Sequence, residues 1–283
     1  MANPAVLTIT SHVVRGAVGG RASDFALERL GFPVWSLPTI VLPWHPGQGR
    51  STRLRFPGPG FASAVSELAG TPALAEVGAI LTGYFGDAAQ IEPVAELIAV
   101  AKARNPELIY LCDPVIGDSD GPFQPPEVAS AIRDRLLPLA DIATPNRHEL
   151  TWLAGAQAQD NDGLARLAAH LGPAEVAVTS AFAPAGQTGV LLVEPHAAHL
   201  ATHAAASIAP HGTGDLFSGL YLAHSLGGAA PAVALERATG ATLALVERAV
   251  ADGANELPLA TMQAAFAAPP AGVTVVRMPR PAA

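Results

Sequence analysis

The sequence predicts an α/β fold, with helices layered on a mostly parallel central sheet. Short apolar runs rich in β-branched residues alternate with longer stretches of helical spacing along most of the 283 residues. No Pro-, Gly- or Ser-rich linker is long enough to separate two domains, and the sequence shows no internal repeat. We therefore expect a single domain over residues 1–283, with an excursion from the sheet near residues 42–59, where Pro, Gly and Arg are dense.

The first half of the chain is predicted to alternate strands with helices. Residues 5–10 are an apolar, β-branched run, and residues 21–30 follow it after a glycine-rich turn. In residues 90–104, Ile91, Val94, Ala95 and Ile98 recur at the spacing of one helical face. The predicted strands are residues 5–10, 34–37, 77–82 and 108–112, and the predicted helices are residues 21–30 and 90–104.

The second half continues the same alternation. Residues 147–153 are predicted to form a helix after Pro145, and residues 213–225 form one behind a glycine-rich loop. The remaining predicted helices are residues 128–137 and 231–250. The predicted strands are residues 141–143, 175–179 and 189–193, with residues 274–276 as an edge strand.

Composition excludes several classes of function. Half of the residues are hydrophobic, 14% are charged and the net charge is −8 without any basic block, which argues against a nucleic-acid partner. Cys112 is the only cysteine, so neither a disulfide framework nor a CxxC metal site is expected. The N-terminus lacks a signal-like pattern, and no apolar run approaches the roughly 20 residues that cross a bilayer. These features predict a cytoplasmic protein without a membrane partner.

Residues 210–219, Pro-His-Gly-Thr-Gly-Asp-Leu-Phe-Ser-Gly, form the most informative segment. Flexible glycines let consecutive backbone N–H groups converge on an anion, and the N-terminus of the following helix adds its positive end. Asp215 lies on the first turn of that helix, where it can accept a proton from an attacking hydroxyl. This segment predicts a site of phosphoryl transfer, although a short glycine motif alone has many false positives.

Polar residues follow most of the predicted strands. In open α/β sheets, ligands bind beyond the carboxyl ends of the strands, so these residues are expected to converge. They are Ser11 and His12, Gly83 and Tyr84, Asp113, Thr144 and Asn146, Thr179 and Ser180, and then residues 212–215.

Six segments, in this order and at this spacing, resemble the pyridoxal kinases, a family of the ribokinase-like superfamily. They are residues 11–19 (Ser-His-Val-Val-Arg-Gly-Ala-Val-Gly), 81–84 (Leu-Thr-Gly-Tyr), 112–118 (Cys-Asp-Pro-Val-Ile-Gly-Asp), 143–149 (Ala-Thr-Pro-Asn with Glu149), 178–180 (Val-Thr-Ser) and 212–215 (Gly-Thr-Gly-Asp). The resemblance implies a three-layer α/β/α sandwich and an ATP-dependent kinase of the 5′-hydroxymethyl group of pyridoxal, pyridoxine or pyridoxamine. It also implies Mg²⁺, a monovalent cation (K⁺ or Na⁺) and a homodimer.

The resemblance assigns roles on the acceptor side of the site. Asp215 corresponds to the general base, and the backbone amides of Gly212, Thr213 and Gly214 correspond to the anion hole. The substrate-binding positions that carry over are Ser11, Val18, His45, Tyr84 and Asp215.

On the nucleotide side, the resemblance places a short lid near residues 118–124. The ATP-binding positions that carry over are Asp113, Asp118, Thr144, Asn146, Glu149, Thr179, Ser180 and residues 212–214. The positions that carry over for the metal are Asp113, Asp118, Thr144 and Glu149, because carboxylates and hydroxyls are hard oxygen donors. Asn146 and Glu149 are also spaced as a helix capping box, and the two roles are compatible.

The acceptor side departs from the family pattern. Pro46 stands where relatives carry a threonine, Gln48 replaces a tyrosine, and His211 precedes the anion hole where a small apolar residue is usual. Two alternatives therefore stay open: a hydroxymethylpyrimidine kinase, and a non-catalytic protein that binds pyridoxal phosphate. The absence of a cysteine between Ala181 and Gly212 disfavours the first, and the intact Asp113 and Asp215 disfavour the second.

Overall fold

The computed structural model describes residues 3–207 and 210–279. Its strands, in chain order, are β1 (Ala5–Val13), β2 (Val34–Leu42), β3 (Leu54–Arg55), β4 (Val77–Thr82), β5 (Ile109–Cys112), β6 (Gly117–Asp118), β7 (Gly121–Pro122), β8 (Ile142–Ala143), β9 (Glu175–Ala181), β10 (Gln187–Val193), β11 (Ala198–Ala204) and β12 (Thr274–Met278). Its helices are α1 (Gly20–Arg29), α2 (Gly58–Gly70), α3 (Ile91–Arg104), α4 (Pro126–Ala131), α5 (Arg147–Ala154), α6 (Asn161–Ala169), α7 (Thr213–Leu226), α8 (Pro231–Ala251), α9 (Leu259–Met262) and α10 (Ala264–Ala267).

Ten of these strands form one sheet, in the order β12-β11-β10-β9-β8-β5-β4-β1-β2-β3. The six central strands, from β9 to β2, pair in parallel, whereas the strands at both edges pair antiparallel. Strands β6 and β7 form a separate two-stranded hairpin. The parallel centre brings the carboxyl ends of β1, β4, β5, β8 and β9 to one side of the sheet.

Helices cover both faces of the sheet. On β1, Val6 belongs to the core cluster that includes residues of α1, α7 and α8, whereas Leu7 and Ile9 belong to the cluster that includes residues of α2, α3 and α4. Alternate strand residues point to opposite faces, so each face of the central strands is buried. The predicted α/β/α sandwich with a mostly parallel sheet is confirmed.

Several elements differ from the prediction. Strand β2 continues to Leu42 instead of ending at residue 37, although Pro38 lies within it. Pro38 lies opposite Thr10 of β1, directly before the register shift in that pair, and β3 covers the other edge of β2 only at Ile40 and Val41. The proline therefore lies where the pairing of β2 is irregular on one side and absent in the described residues on the other, and such positions tolerate proline. The excursion at residues 42–59 also returns to the sheet, since Leu54 and Arg55 form β3 at its edge.

Helices α2 and α6 and strand β11 were not predicted. Helix α2 buries only Phe61 and Val65 among small and polar residues, so its apolar periodicity is faint. Strand β11, Ala-His-Leu-Ala-Thr-His-Ala, has little β-branched character and is held by its pairing with β10 on one side and β12 on the other. In both cases the tertiary contacts outweigh a weak local preference.

Candidate active site

Helix α7 begins at the glycine-rich loop, and Gly212 is its N-cap residue with a φ of 93°. A Cβ on Gly212 would lie 1.9 Å from the carbonyl oxygen of Ala17, so only glycine fits against the loop that follows β1. A Cβ on Gly214, in contrast, would meet no atom within 4 Å. At the start of α7, Gly212 therefore packs against the protein, whereas Gly214 leaves open space. Open space at a helix N-terminus suits an anion.

Asp215 lies in the first turn of α7 and is partly buried. Burial raises the pKa of its carboxyl to about 6, while a hydrogen bond from the backbone N–H of Gly19 acts in the opposite direction. A carboxyl with this pKa is mostly ionised at neutral pH and is still basic enough to accept a proton from a hydroxyl. The protein thus holds a base beside a potential anion site.

Gly19 brings the predicted substrate residue Ser11 to the same place. A β-bridge joins His12 to Gly19, so residues 14–18 form a loop whose two ends meet. A Cβ on Gly19 would lie 2.4 Å from both the carbonyl oxygen and the Oγ of Ser11. Because Gly19 also donates to Asp215, Ser11 and Asp215 flank the same glycine.

Tyr84 and Val18 belong to a small apolar cluster at the ends of β1 and β2. Tyr84 is partly buried against the cluster formed by Val13, Val18, Ile40 and Leu42. Its backbone is fixed on both sides, since its N–H donates to Thr10 Oγ1 (3.1 Å) and its carbonyl accepts from Thr39 Oγ1 (2.6 Å). These two predicted substrate residues therefore share one apolar wall.

His45 contacts His211, the residue that immediately precedes the anion-hole loop. Their ring centroids are 4.0 Å apart with an angle of 32° between the ring planes. Burial, and secondarily the charge of His211, lower the pKa of His45 to about 4, so His45 is neutral at physiological pH. The sequence analysis recorded His211 only as a departure from the family pattern, and the contact with His45 had no signal in the sequence.

A buried chain of hydroxyls links the end of β5 to α7. Ser218 Oγ donates to Asp113 Oδ2 at 2.9 Å, and Thr144 Oγ1 lies 2.8 Å from Ser218 Oγ. A hydroxyl has a single hydrogen, so Ser218 must accept from Thr144 while it donates to Asp113. Ser218 was missed in the sequence, although its position three residues after Asp215 places both on one face of the helix.

Glu149 and Asn146 form the capping box of α5. Asn146 Oδ1 accepts from the backbone N–H groups of His148 and Glu149, and Glu149 Oε2 accepts from the N–H of Asn146 at 2.8 Å. Glu149 Oε1 accepts from Ile116 N–H at 2.7 Å and from Gly117 N–H at 3.3 Å. The capping role is therefore confirmed, and the same carboxylate holds the loop after β5 in place. Burial raises the pKa of Glu149 to about 7.

The buried carboxyl of Asp113 shares this region with two other acidic groups. Its pKa is raised well above the ordinary value, first by burial and then by the negative charges of Glu149 and Asp215. Hydrogen bonding from Ser218 acts in the opposite direction. Asp113 is therefore close enough to Asp215 on α7 and to Glu149 in the cap of α5 for both charges to raise its pKa.

The comparison with known proteins agrees with this geometry. Residues 71–260 match the family model described as phosphomethylpyrimidine kinase. The pyridoxal kinase of Rubrobacter xylanophilus is 33% identical over 286 aligned positions, which cover 96% of this chain and 97% of the relative. The chain belongs to the pyridoxal kinase family.

Solved structures of the pyridoxal kinase family share the fold over nearly their whole length. The pyridoxal kinase from Entamoeba histolytica, at 22% identity, superposes with a TM-score of 0.90 and covers 98% of this chain and 100% of its own. The pyridoxal kinase from Leishmania donovani, in complex with ADP and pyridoxamine, is 25% identical, has a TM-score of 0.89 and gives the same coverage. The fold of this chain is therefore the ribokinase-like fold of the pyridoxal kinases.

Three residues that the sequence analysis predicts as ATP-binding positions lie on β9 and on the β6–β7 hairpin. Thr179 forms a β-bridge with Asn146, and its N–H donates to the carbonyl of Pro145 at 2.9 Å. Ser180 adopts the left-handed conformation with a φ of 54°. Asp118 is exposed on the β6–β7 hairpin, where its Oδ1 accepts from Asp120 N–H at 2.8 Å.

Among the residues that the structure describes, no group of three or more His, Cys, Asp or Glu side chains is arranged to hold a metal ion. Asp113, Thr144 and Glu149 are buried, whereas Asp118 is exposed on the hairpin that corresponds to the lid of the pyridoxal kinase family. A metal held by these predicted residues would thus need ligands from its bound nucleotide.

A cleft with a volume of about 740 Å³ lies beside α1, between residues 12–20 and residues 256–261. Gly16 and Ala17 of the loop after β1 line it, and the Ala17 carbonyl also packs against Gly212, so this cleft adjoins the start of α7.

None of the helices in the described residues combines the length and hydrophobicity that crossing a membrane requires.

Proposed function

We propose that this chain transfers the γ-phosphoryl group of ATP to the 5′-hydroxymethyl group of pyridoxal, and also to that of pyridoxine and pyridoxamine. The observation that carries the proposal is the position of Asp215, a partly buried base in the first turn of a helix that begins at the glycine-rich loop, where a Cβ on Gly214 would meet no described atom within 4 Å. Relatives named pyridoxal kinase, and a related structure that holds ADP and pyridoxamine, support the choice of substrates.

In the proposed reaction, Asp215 accepts the proton of the hydroxymethyl group while its oxygen attacks the γ-phosphorus. A new phosphorus–oxygen bond forms, the bond between the γ-phosphorus and the bridging oxygen breaks, and ADP leaves with that electron pair. The backbone amides of Gly212, Thr213 and Gly214 stabilise the negative charge of the transferring group. Ser11, Val18, His45 and Tyr84 would position the acceptor: Ser11 lies against Gly19, Val18 and Tyr84 share one apolar cluster, and His45 contacts His211 beside the anion hole.

The donor side suits Mg²⁺ together with the nucleotide phosphates. Burial, and then the negative charges of Glu149 and Asp215, raise the pKa of Asp113, and no described ion pair joins any of these three groups to Lys or Arg. A divalent cation relieves such repulsion, and Mg²⁺ commonly uses one or two carboxylates plus phosphate oxygens. When bound, Mg²⁺ would neutralise charge on the β- and γ-phosphates.

We propose that Asp113, Asp118, Thr144 and Glu149 hold this ion and its waters. Asn146, Thr179 and Ser180 would bind the nucleotide beside them. Thr144 uses its hydrogen on Ser218, so its remaining lone pairs suit a cation, including K⁺ or Na⁺.

Hydroxymethylpyrimidine is the second candidate substrate. The family model that matches residues 71–260 is described as phosphomethylpyrimidine kinase, and this is the observation that favours it. Against it, the chain has no cysteine between Ala181 and Gly212, the stretch that leads into the anion hole. A role in binding pyridoxal phosphate without turnover is disfavoured by the base and the acidic cluster, which binding alone does not require.

The test is ATP consumption by the purified protein with pyridoxal, pyridoxine, pyridoxamine and hydroxymethylpyrimidine as acceptors, with Asp215→Asn as the control. We expect the highest kcat/KM with one of the three B6 vitamers and no turnover in the variant. Preference for hydroxymethylpyrimidine would replace the proposed substrate. Tight binding of pyridoxal phosphate without ATP consumption would overturn the kinase assignment.

Three further properties are proposed on the same resemblance and on composition. The chain acts as a single kinase domain over residues 1–283, it forms a homodimer, and it works in the cytoplasm, which suits its lone buried cysteine. Sedimentation velocity tests the dimer, and fractionation of the source cells tests the location. Limited proteolysis tests the domain, because a single domain yields no stable half-length fragment.

A further inference from the structure

The contact between His45 and His211 joins two parts of the chain that are distant in sequence. His45 begins the single 3₁₀ turn at Pro46–Gln48, within the excursion that leaves the sheet after β2. His211 immediately precedes Gly212, the N-cap of α7. The ring contact, at 4.0 Å between centroids, therefore places the excursion directly against the anion-hole loop.

Gly47 is fitted to this contact. A Cβ on Gly47 would lie 2.5 Å from Nε2 of His211 and 3.0 Å from Nδ1 of His45. Its φ lies outside the left-handed region, so the backbone of an alanine would be acceptable and only the space is lacking. The 3₁₀ turn therefore packs directly against the two rings and leaves no room for a side chain at Gly47.

The same turn fixes the hydrogen of His45. Gly47 N–H donates to Nδ1 of His45 at 3.1 Å, so Nδ1 carries no hydrogen and the neutral ring carries it on Nε2. His45 is therefore held as a donor through Nε2, with its ring plane set by His211. A fixed donor next to the anion hole can recognise an oxygen of the acceptor molecule.

A second contact keeps the turn in place when the first is removed. Gln48 Nε2 donates to Glu256 Oε1 at 3.0 Å, and Arg15 also approaches that carboxylate at 3.5 Å. Without the His211 ring, the ring of His45 should therefore become free to rotate, while the 3₁₀ turn stays bound to Glu256 through Gln48.

We propose that His211 is a positioning residue for acceptor binding, which acts by stacking on His45 and aligning its Nε2–H donor toward the acceptor alcohol. The proposal rests on the proposed function for the identity of that alcohol. His211 itself needs no contact with either substrate.

The kinetic test compares the wild type with His211→Ala, His211→Phe and Gly47→Ala. We expect His211→Ala to raise KM for pyridoxal by about threefold to tenfold, the range that one aromatic pair supports. KM for ATP should stay unchanged and kcat nearly so. His211→Phe, which keeps a flat ring, should restore KM for pyridoxal. Gly47→Ala should raise it as His211→Ala does, whereas the matched control Gly60→Ala, whose Cβ meets open space, should not.

The double variant His45→Ala/His211→Ala separates positioning from independent contacts. If His211 acts through His45, the double variant binds pyridoxal no more weakly than His45→Ala alone. Multiplicative effects of the two changes would overturn the proposal. Equal increases in KM for ATP and pyridoxal would also overturn it.

A readout without turnover keeps this test apart from that of the proposed function. Hydrogen exchange of residues 43–49 should be faster in His211→Ala than in the wild type, and His211→Phe should restore slow exchange. Unchanged exchange contradicts the stacking role whatever the enzyme phosphorylates. Failure of the wild type to phosphorylate pyridoxal, with the exchange pattern as expected, would instead refute only the substrate.

Discussion

Ser218 on α7 donates a hydrogen bond to Asp113 at the end of β5, with 2.9 Å between Oγ and Oδ2. This bond crosses from the helix that carries Asp215 to the strand that carries the predicted metal and nucleotide ligand. It opposes the burial that raises the pKa of Asp113. One buried hydroxyl, that of Ser218, therefore links the helix that carries Asp215 to the carboxylate of Asp113.

We expect Ser218→Ala to weaken nucleotide binding. The buried carboxyl of Asp113 loses a donor, and hydrogen bonds to charged groups contribute about 1.5–3 kcal/mol, so KM for ATP should rise about tenfold or more. KM for pyridoxal should not change. The control is Ser225→Ala on the same helix, which removes a hydroxyl that donates only to the carbonyl of Tyr221. Equal effects of the two variants on KM for ATP would contradict the role assigned to Ser218.

Asp215→Asn should abolish turnover and at the same time stabilise the fold. Removal of a general base costs about 10²- to 10⁴-fold in rate. The folded-state pKa of about 6 lies above the unfolded value of 3.8, so the stability that this group contributes at low pH is lost as pH rises through 6. The uncharged variant escapes that loss and should be more stable by about 3 kcal/mol at pH 7.5, because the two pKa values differ by about two and each pKa unit corresponds to about 1.4 kcal/mol.

Urea unfolding of the wild type and Asp215→Asn at pH 4, 6 and 7.5 measures this effect. The difference in the free energy of unfolding should grow between pH 4 and pH 6 and then level off. A variant that is less stable than the wild type at pH 7.5 would show that Asp215 is not held in an unfavourable environment.

The ratio kcat/KM for pyridoxal should fall on the acid side with an apparent pKa of about 6. Asp215 must be ionised to accept the hydroxyl proton, and burial raises its pKa to that value in the free protein. Below pH 6, kcat/KM should therefore decrease about tenfold per pH unit, as for loss of a single required base. A pH profile of kcat/KM checks this, and a flat profile down to pH 5 would exclude Asp215 as the base.

Glu149→Ala should destabilise the protein by about 3 kcal/mol, because buried unpaired donors cost about 1–3 kcal/mol each. The N–H groups of Ile116, Gly117 and Asn146 would all lose their acceptor. Glu149→Gln keeps one carbonyl oxygen as an acceptor, so this variant should lose less stability than Glu149→Ala. The exposed Glu127→Ala serves as the control and should leave the melting temperature unchanged. A wild-type-like Glu149→Ala would show that water replaces the carboxylate.

The two glycines of the anion hole should respond differently to alanine. Gly212→Ala places a Cβ against the Ala17 carbonyl at a φ of 93°, so we expect a loss of at least about 3 kcal/mol in stability. Gly214→Ala should fold normally, since its Cβ meets open space, but its methyl group would occupy the space before α7 and lower kcat. Melting temperatures and kcat separate the two effects. Equal melting temperatures would contradict the packing role of Gly212.

Much of this arrangement follows from the sequence because its signals are local. Strands such as β4 and helices such as α3 have a clear pattern of apolar residues. The glycine-rich loop before α7 predicts a helix N-terminus with Asp215 in its first turn. The capping box of Asn146 and Glu149 is also a short-range pattern, and the structure contains it.

What the sequence could not supply depends on contacts between distant residues. Asp113, the partner of Ser218, is 105 residues away in the sequence. His45 stacks on His211, and most of the strands and helices lie between them in the sequence. The same holds for β11, whose weak strand preference is decided by its two neighbours. No local pattern encodes such pairings, because only the sheet order brings the segments together.

The way in which residues 43–51 are attached has a consequence for how this enzyme can change. The phosphate side of the site is part of regular helices and strands. This segment is instead held by two side-chain contacts, His45 on His211 and Gln48 on Glu256, and by one backbone bond from Arg15 N–H to the carbonyl of Pro43. A segment attached in this way can be exchanged between relatives without rebuilding the sheet. Acceptor preference can therefore diverge within the family by replacement of a few residues, while the machinery for phosphoryl transfer is inherited intact.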